Sequence, residues 1–292
     1  MTCHSCRIEA KKFGKDRKGN QRYRNQRDKT FSTRPENNLD GMYLPTDKAD
    51  MVLRISLEGN SVSSVERVTN VHHTTILKLL VIAGEKCERI MAGKIRNVEG
   101  RDGELDEVWA FIGKKQKRVR PEDDQNRGDC CTFVAIERQS KLVLNIAMGK
   151  RDQATTDVFI EGVRHATAHC HFQVTSDGFA PYRSAVTTTL SDRCDFAQLI
   201  KVYRAPVEGE ARHSPAEVAS VEVVPVMGQP DPERICTSIV ERSNLSLRMS
   251  VRRFTRLTNA FSKKWENHWA AVARWFAWYN FCRVHRTLRV TP

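Results

Sequence analysis

Three acidic residues stand where carboxylates do chemistry. Asp106 lies in an apolar run, flanked by Leu105 and by Val108-Trp109. Asp177 closes the strand-like stretch HCHFQVTSD and is followed by Gly178. Glu241 follows Ile239-Val240 near the start of a helical run. Three carboxylates gathered in apolar surroundings repel one another unless a cation joins them. Hard oxygen ligands suit Mg²⁺ or Mn²⁺. Two such ions about 3.5–4 Å apart activate a water or a 3′-hydroxyl and stabilise the leaving oxygen of a phosphodiester. Each residue alone also has an ordinary reading. An Asp-Gly pair makes a turn, Ser238 with Glu241 fits a capping box, and a strand acid can face solvent. Only together do they point to metal-assisted catalysis. Strand alternation puts Glu104 on the face of Asp106 and points Glu107 away. Asn244, one turn from Glu241, is placed to orient a reacting group.

The sulfur and imidazole groups point less strongly to metal. Cys3 and Cys6 form a C-x-x-C pair, half of a tetrahedral zinc site. His4 lies between them and cannot complete it, so Zn²⁺ is not expected. His169 and His171 share a strand face without further ligands nearby and read as structural. Cys130 and Cys131 alternate to opposite faces and read as core. The nine cysteines suit reduced thiols in a cytoplasmic setting.

The elements that must position the acids are legible as apolar runs. ELDEVWAFIGKK, CCTFVAIERQ and KLVLNIAMGK read as three strands able to pair antiparallel. ATTDVFIEGVRHATA reads as a helix, HCHFQVTSDGF as a strand, APYRSAVTTTL as a helix and CDFAQLIKVYR as a strand. This order predicts one α/β domain over 104–292, with the first and fourth strands adjacent and a later helix packed across them. Residues 206–237 hold five prolines and read as a loop-rich insertion with some extended structure. From Thr237 the run TSIVERSNLSLRMSVRRFTRLTNAF predicts one long helix, and a second follows over about 264–283. Residues 47–94 read as three short helices, the last two joined by a tight turn: a helix-turn-helix, with its reading helix over about 72–82. Residues 1–36 read as a small β-hairpin module turning at Gly19-Asn20.

Charge indicates the partner. The chain of 292 residues carries a net +13. Residues 7–34 hold a net +8 and residues 241–292 a net +9, leaving −4 for the rest. Two basic blocks suit a polyanion, because neutralising phosphates releases condensed counterions. Candidate DNA contacts are Lys11, Lys12, Arg22 and Arg24 in the first block. His73, Thr74, Thr75 and Lys78 open the reading helix, where base edges are met. Arg248, Arg252, Arg253 and Arg256 form a basic face beyond Glu241. No apolar run is long enough to span a membrane, and no secretory signal opens the chain, so no membrane partner is expected.

These motifs resemble the transposases of the insertion-sequence-one family, which are DDE-type, RNase H-like DNA transposases. KKFGKDRKGNQRYR resembles that family's N-terminal zinc ribbon, and LEGNSVSSVERVTNVHHTTILKLL its helix-turn-helix. LDEVWAFIGKK, GDCCTFVAIERQSKLV and TSDGFAPY resemble its catalytic strands. TSIVERSNLSLRMSVRRFTRLTNAFSKKWENH with YNFCRVHRTLRVTP resembles its C-terminal signature. The resemblance implies an RNase H-like core and metal-dependent cleavage and strand transfer at terminal inverted repeats. It implies Asp106, Asp177 and Glu241 as metal-binding acids, and a homo-oligomer on double-stranded DNA in a bacterial, nucleoid-associated setting. The sequence departs from it in one place. Where the ribbon's second cysteine pair belongs, NQRDK carries Asn25 and Asp28. That departure leaves a non-catalytic DNA-binding protein, or an inactive transposase remnant, as the alternative.

Overall fold

The basic N-terminal stretch alternates long side chains and turns at Gly19, whose φ of +82° suits glycine. It folds as a three-stranded antiparallel sheet of β1 (Ala10–Lys15), β2 (Gln21–Asn25) and β3 (Thr30–Ser32). Lys11 pairs with Arg24, Lys12 with Tyr23 and Tyr23 with Phe31. The computed structural model describes residues 2–3, 8–17, 19, 21–27, 30–32, 39, 42–203, 218–255 and 258–292. Contacts divide the chain into two units, Met1–Thr46 and Asp47–Pro292.

α1 (Thr46–Ile55), which opens the second unit from its boundary residue Thr46, ends before the left-handed Gly59, φ +73°. Ser61 then caps α2 (Val62–Thr69), its hydroxyl accepting the Ser64 N–H at 3.0 Å. Asn70 takes the left-handed conformation at the end of α2, and α3 (His73–Lys94) follows at once. α3 runs past the expected residue 82 because its later turns lie along α7. A Cβ on Gly84 would stand 2.5 Å from the Cα of Ala270, so the two backbones approach closely. The helices read from the sequence as a separate segment, 47–94, therefore share one unit with the sheet.

That sheet comprises β4 (Asp102–Ile112), β5 (Gly128–Glu137), β6 (Val143–Gly149), β7 (Phe172–Ser176), β8 (Cys194–Tyr203) and β9 (Val218–Met227). Among the described residues its order is β6-β5-β4-β7-β8-β9. The first three strands pair antiparallel, and β4-β7-β8 pair parallel. Parallel neighbours need crossovers; α4 (Gln153–Ala166) leads into β7 and α5 (Pro181–Thr189) into β8. α6 (Ser238–Ser250) packs on β4 and β5, and α7 (Trp265–Phe281) lies against α3 and β6. Phe133, Phe159 and Tyr182 form an aromatic cluster in the core, where Trp275 and Phe276 are also fully buried.

Two expectations need correction, and the extended structure expected in the proline-rich insertion takes definite form. The proline-rich insertion contains a regular strand, β9, along residues 218–227. Pro225 is tolerated there because β9 is an edge strand and its ladder shifts register beside Ala197. The long helix stops at Ser250. Val251 turns extended, and the chain leaves the helix axis so that Phe254 can bury against the ring of His268, 4.9 Å away. His169 and His171 precede β7 instead of lying in it. Their rings meet the carboxylates of Asp192 at 3.2 Å and Asp195 at 2.8 Å at the surface.

Candidate active site

β4 supplies the first acid. The parallel register pairs Leu105 with Ser176, so the next residues along, Asp106 and Asp177, fall side by side where β7 ends. Asp106 faces α6 and accepts a hydrogen bond from Asn244 Nδ2 at 2.7 Å. Asp177 Oδ1 accepts the Phe179 N–H at 3.1 Å, closing a tight turn. Gln198 of β8 pins that turn, its Nε2 donating to the carbonyls of Asp177 at 2.8 Å and Phe179 at 3.2 Å.

Glu241 reaches the site through α6. The start of that helix is anchored by Glu104, whose Oε2 accepts the N–H groups of Ile239 at 2.8 Å and Val240 at 2.9 Å. A carboxylate at a helix N-terminus satisfies open donors and complements the helix dipole. The capping box that is the ordinary reading of Ser238 with Glu241 is not formed. Thr237 takes the N-cap position, and its hydroxyl donates to Glu241 Oε1 at 2.7 Å. The Glu241 carboxylate also pairs with Lys201 of β8.

One carboxylate oxygen from each of Asp106, Glu107 and Asp177 lies within 4.8 Å of the other two. Glu241 is not in that tight group, but its charge acts on both Asp106 and Asp177. Glu107 is the acid that strand alternation dismissed. It does turn to the opposite face, where it pairs with Arg151 and accepts the Tyr182 hydroxyl at 3.2 Å. It meets the others nonetheless, because Asp177 sits past the end of β7, where the two faces converge. Arg151 was also missed. Its side chain lies 3.8 Å from Asp177 Oδ2 and 3.9 Å over the ring of Phe179. The available signal was the acid itself, since a charged residue facing a helix-covered side of a strand needs a partner.

The electrostatics show a site short of positive charge. Burial pushes Asp106 up to about 6; the charges of Asp177 and Glu241 add to the rise, and the Asn244 hydrogen bond opposes it. Burial pushes Glu107 up to about 7, with Asp177 adding and Arg151 opposing. Asp177 is raised as well, by burial first and then by Glu241, against the pull of the Phe179 N–H, Arg151 and Lys201. Asn244 Oδ1 is buried with no hydrogen-bond partner among the described residues. Clustered oxygen donors with excess negative charge fit a hard divalent cation.

The expected DNA-facing residues fall into several environments. Lys11, Lys12 and Arg24 are exposed and Arg22 is half-buried. Arg22 and Arg24 stand 5.9 and 5.1 Å from the ring centroid of Phe13. At the start of α3, His73, Thr74 and Lys78 are exposed and Thr75 is half-buried. The His73 N–H donates to Glu66 Oε1 at 2.8 Å, and Thr74 Oγ1 lies 2.8 Å from His72 Nδ1, so part of this polar edge is tied to the protein. Arg248 is half-buried and Arg252 exposed. Arg253 departs from expectation. The break after Ser250 turns it inward, where Nη1 donates to Ser262 Oγ at 3.0 Å and burial lowers its pKa to about 10. Arg256 and Cys6 lie outside the described residues. Cys3 is buried, and among the described residues no metal-competent group contains a cysteine. Cys130 and Cys131 are buried in β5, and burial pushes both thiols up to about 12, which suits packing.

No protein-family model and no curated protein matches the sequence. Among solved structures, the piggyBac transposase synaptic complex with hairpin DNA is similar with a TM-score of 0.41 and 10% identity. That likeness covers 84% of this chain and 67% of the other. The Mos1 strand transfer complex is similar with a TM-score of 0.23 and 11% identity, over 85% of this chain and 79% of the other. Both TM-scores are too low for either likeness to decide fold or function.

Proposed function

We propose that this chain is a DDE-type DNA transposase with an RNase H-like core, akin to the insertion-sequence-one family, which binds terminal inverted repeats and cuts and joins DNA. The observation that carries the reading is the meeting of Asp106, inside β4, with Asp177, just past the end of its parallel neighbour β7, with the charge of Glu241 acting on both. The sheet order, three antiparallel strands followed by two parallel crossovers, supports it.

Asp106, Asp177 and Glu241 are the residues that would hold Mg²⁺ or Mn²⁺. When bound, such ions supply an activated water or 3′-hydroxyl and stabilise the leaving oxygen. The protein's own contribution is positioning. Asn244 fixes the Asp106 carboxylate, Gln198 pins the turn that bears Asp177, and Glu104 sets the start of the helix that carries Glu241. Lys11, Lys12, Arg22, Arg24, Arg248 and Arg252 hold phosphates in this reading. His73, Thr74, Thr75 and Lys78 meet bases from the start of α3. The working form is a homo-oligomer on double-stranded DNA in the bacterial nucleoid. No described helix is long and apolar enough to cross a membrane.

The test is Glu241→Gln assayed for both binding and cleavage of an end-containing DNA fragment. Retained binding with cleavage lost supports the reading; equal loss of both contradicts it. A second reading, a DNA-binding protein without strand-cutting activity, is favoured by the ion pair that holds Glu241 on Lys201. It expects binding with no cleavage under any divalent ion.

A further inference from the structure

The Arg151–Glu107 pair is more than that reading requires. Glu107 is nearly buried, its side chain 6% exposed, whereas those of Asp177 and Arg151 are 40% and 48% exposed. The residues on either side of Arg151 are both tied to the protein. The Lys150 side chain donates from Nζ to the carbonyls of Arg127 at 2.8 Å and Asp129 at 2.9 Å. Asp152 caps α4, its Oδ1 accepting the Thr155 N–H at 2.9 Å. The guanidinium is thus delivered to a set place, laid on Phe179 and bonded to Glu107, with Asp177 3.8 Å away. A cation held against two clustered acids does what a metal ion would do there: it offsets their repulsion.

We propose that Arg151 is a resident counter-ion of the carboxylate cluster and that Glu107 is its holding partner. While no metal is bound, the guanidinium offsets the charge of Asp177. When Asp177 turns to an ion, Glu107 and the Phe179 ring keep Arg151 beside the site. Arg151 and Glu107 are positioning residues in this scheme, and Glu107 is not a metal ligand. The inference rests on the metal-binding reading above. It makes opposite forecasts for its two members, which a merely structural ion pair does not.

The experiment is calorimetric titration of the full chain with Mn²⁺, without DNA, at fixed pH and salt. Arg151→Met should tighten Mn²⁺ binding by about threefold to tenfold, because the ion no longer competes with a fixed charge. Arg151→Lys should stay near wild type. Glu107→Gln should weaken binding by a similar factor, because the freed guanidinium settles on Asp177. In the double variant, Glu107→Gln should no longer weaken binding; if it still does, Glu107 is itself a ligand and the proposal fails. Unchanged or weaker binding in Arg151→Met also overturns it. Should Arg151→Met not fold, as its metal-free thermal unfolding would reveal, Glu107→Gln alone decides: unchanged or tighter binding contradicts the scheme. Asp177→Asn separates the two levels. Wild-type binding that Asp177→Asn abolishes upholds the metal site whatever Arg151 does, while a wild type that binds no Mn²⁺ overturns both.

Discussion

At the scale of single residues, the site is governed by the cost of keeping buried carboxylates charged. Ordinary carboxyl pKa values are near 4, whereas Asp106 is raised to about 6 and Glu107 to about 7. A carboxyl whose pKa rises on folding binds its proton more tightly when folded. Its contribution to stability is complete below the unfolded pKa and is lost as pH climbs through the folded value. The metal-free protein should therefore show a component of its Tm that falls between about pH 4 and about pH 7, and Asp106→Asn should flatten it. Tm measured against pH in the two proteins checks this; a rising component with the same dependence on Asp106 would contradict it. Metal affinity should move the other way, strengthening with pH over the same window, because only the ionised form is a good ligand. Asp106 and Asp177 were legible because an acid inside an apolar strand, or at its end, is conspicuous. Glu107 was not. Alternation assigns residues to faces correctly along a strand, but the faces stop being separate at the end of the sheet, where Asp177 reaches both.

At the scale of elements, one contact holds the frame of the site and another joins the helices α3 and α7. Glu104 accepts two N–H groups at the start of α6 from a position 1% exposed. Glu104→Ala strips that cap and should cost about 1–3 kcal/mol in chemical denaturation, with a further loss in any activity that depends on Glu241. Gly84→Ala tests the approach of α3 to α7. Its methyl group would stand 2.5 Å from the Ala270 Cα, and destabilisation of about 1–3 kcal/mol is expected from overpacking. Wild-type stability in Gly84→Ala would mean that the helices are further apart than described. The strands β4 to β8 and helices α4 and α5 were readable from the sequence because their apolar periods are clean. β9 was read only as extended structure without bounds, because its segment is rich in prolines, which an edge strand tolerates. The end of α6 was hidden because no glycine or proline marks it; burial of Phe254 against His268, a tertiary effect, breaks the helix.

At the scale of the whole molecule, the proposed function makes the excess of positive charge the means of holding DNA. Substituting Lys11, Lys12, Arg22 and Arg24 together by alanine should weaken DNA binding at every sequence alike. It should also flatten the salt dependence by about one unit of log-log slope for each phosphate that is no longer neutralised. Thermal unfolding of the Asp47–Pro292 unit should not change. A loss confined to one DNA sequence, with the salt slope intact, would place base readout in the N-terminal sheet instead. The most direct measurement of the central claim is a strand-transfer assay with Mg²⁺ on DNA carrying the element ends, comparing wild type with Asp177→Asn at matched DNA occupancy. The account predicts nicked and joined products from the wild type and none from the variant. Equal product from both, or none from a wild type that binds the ends fully, would contradict it.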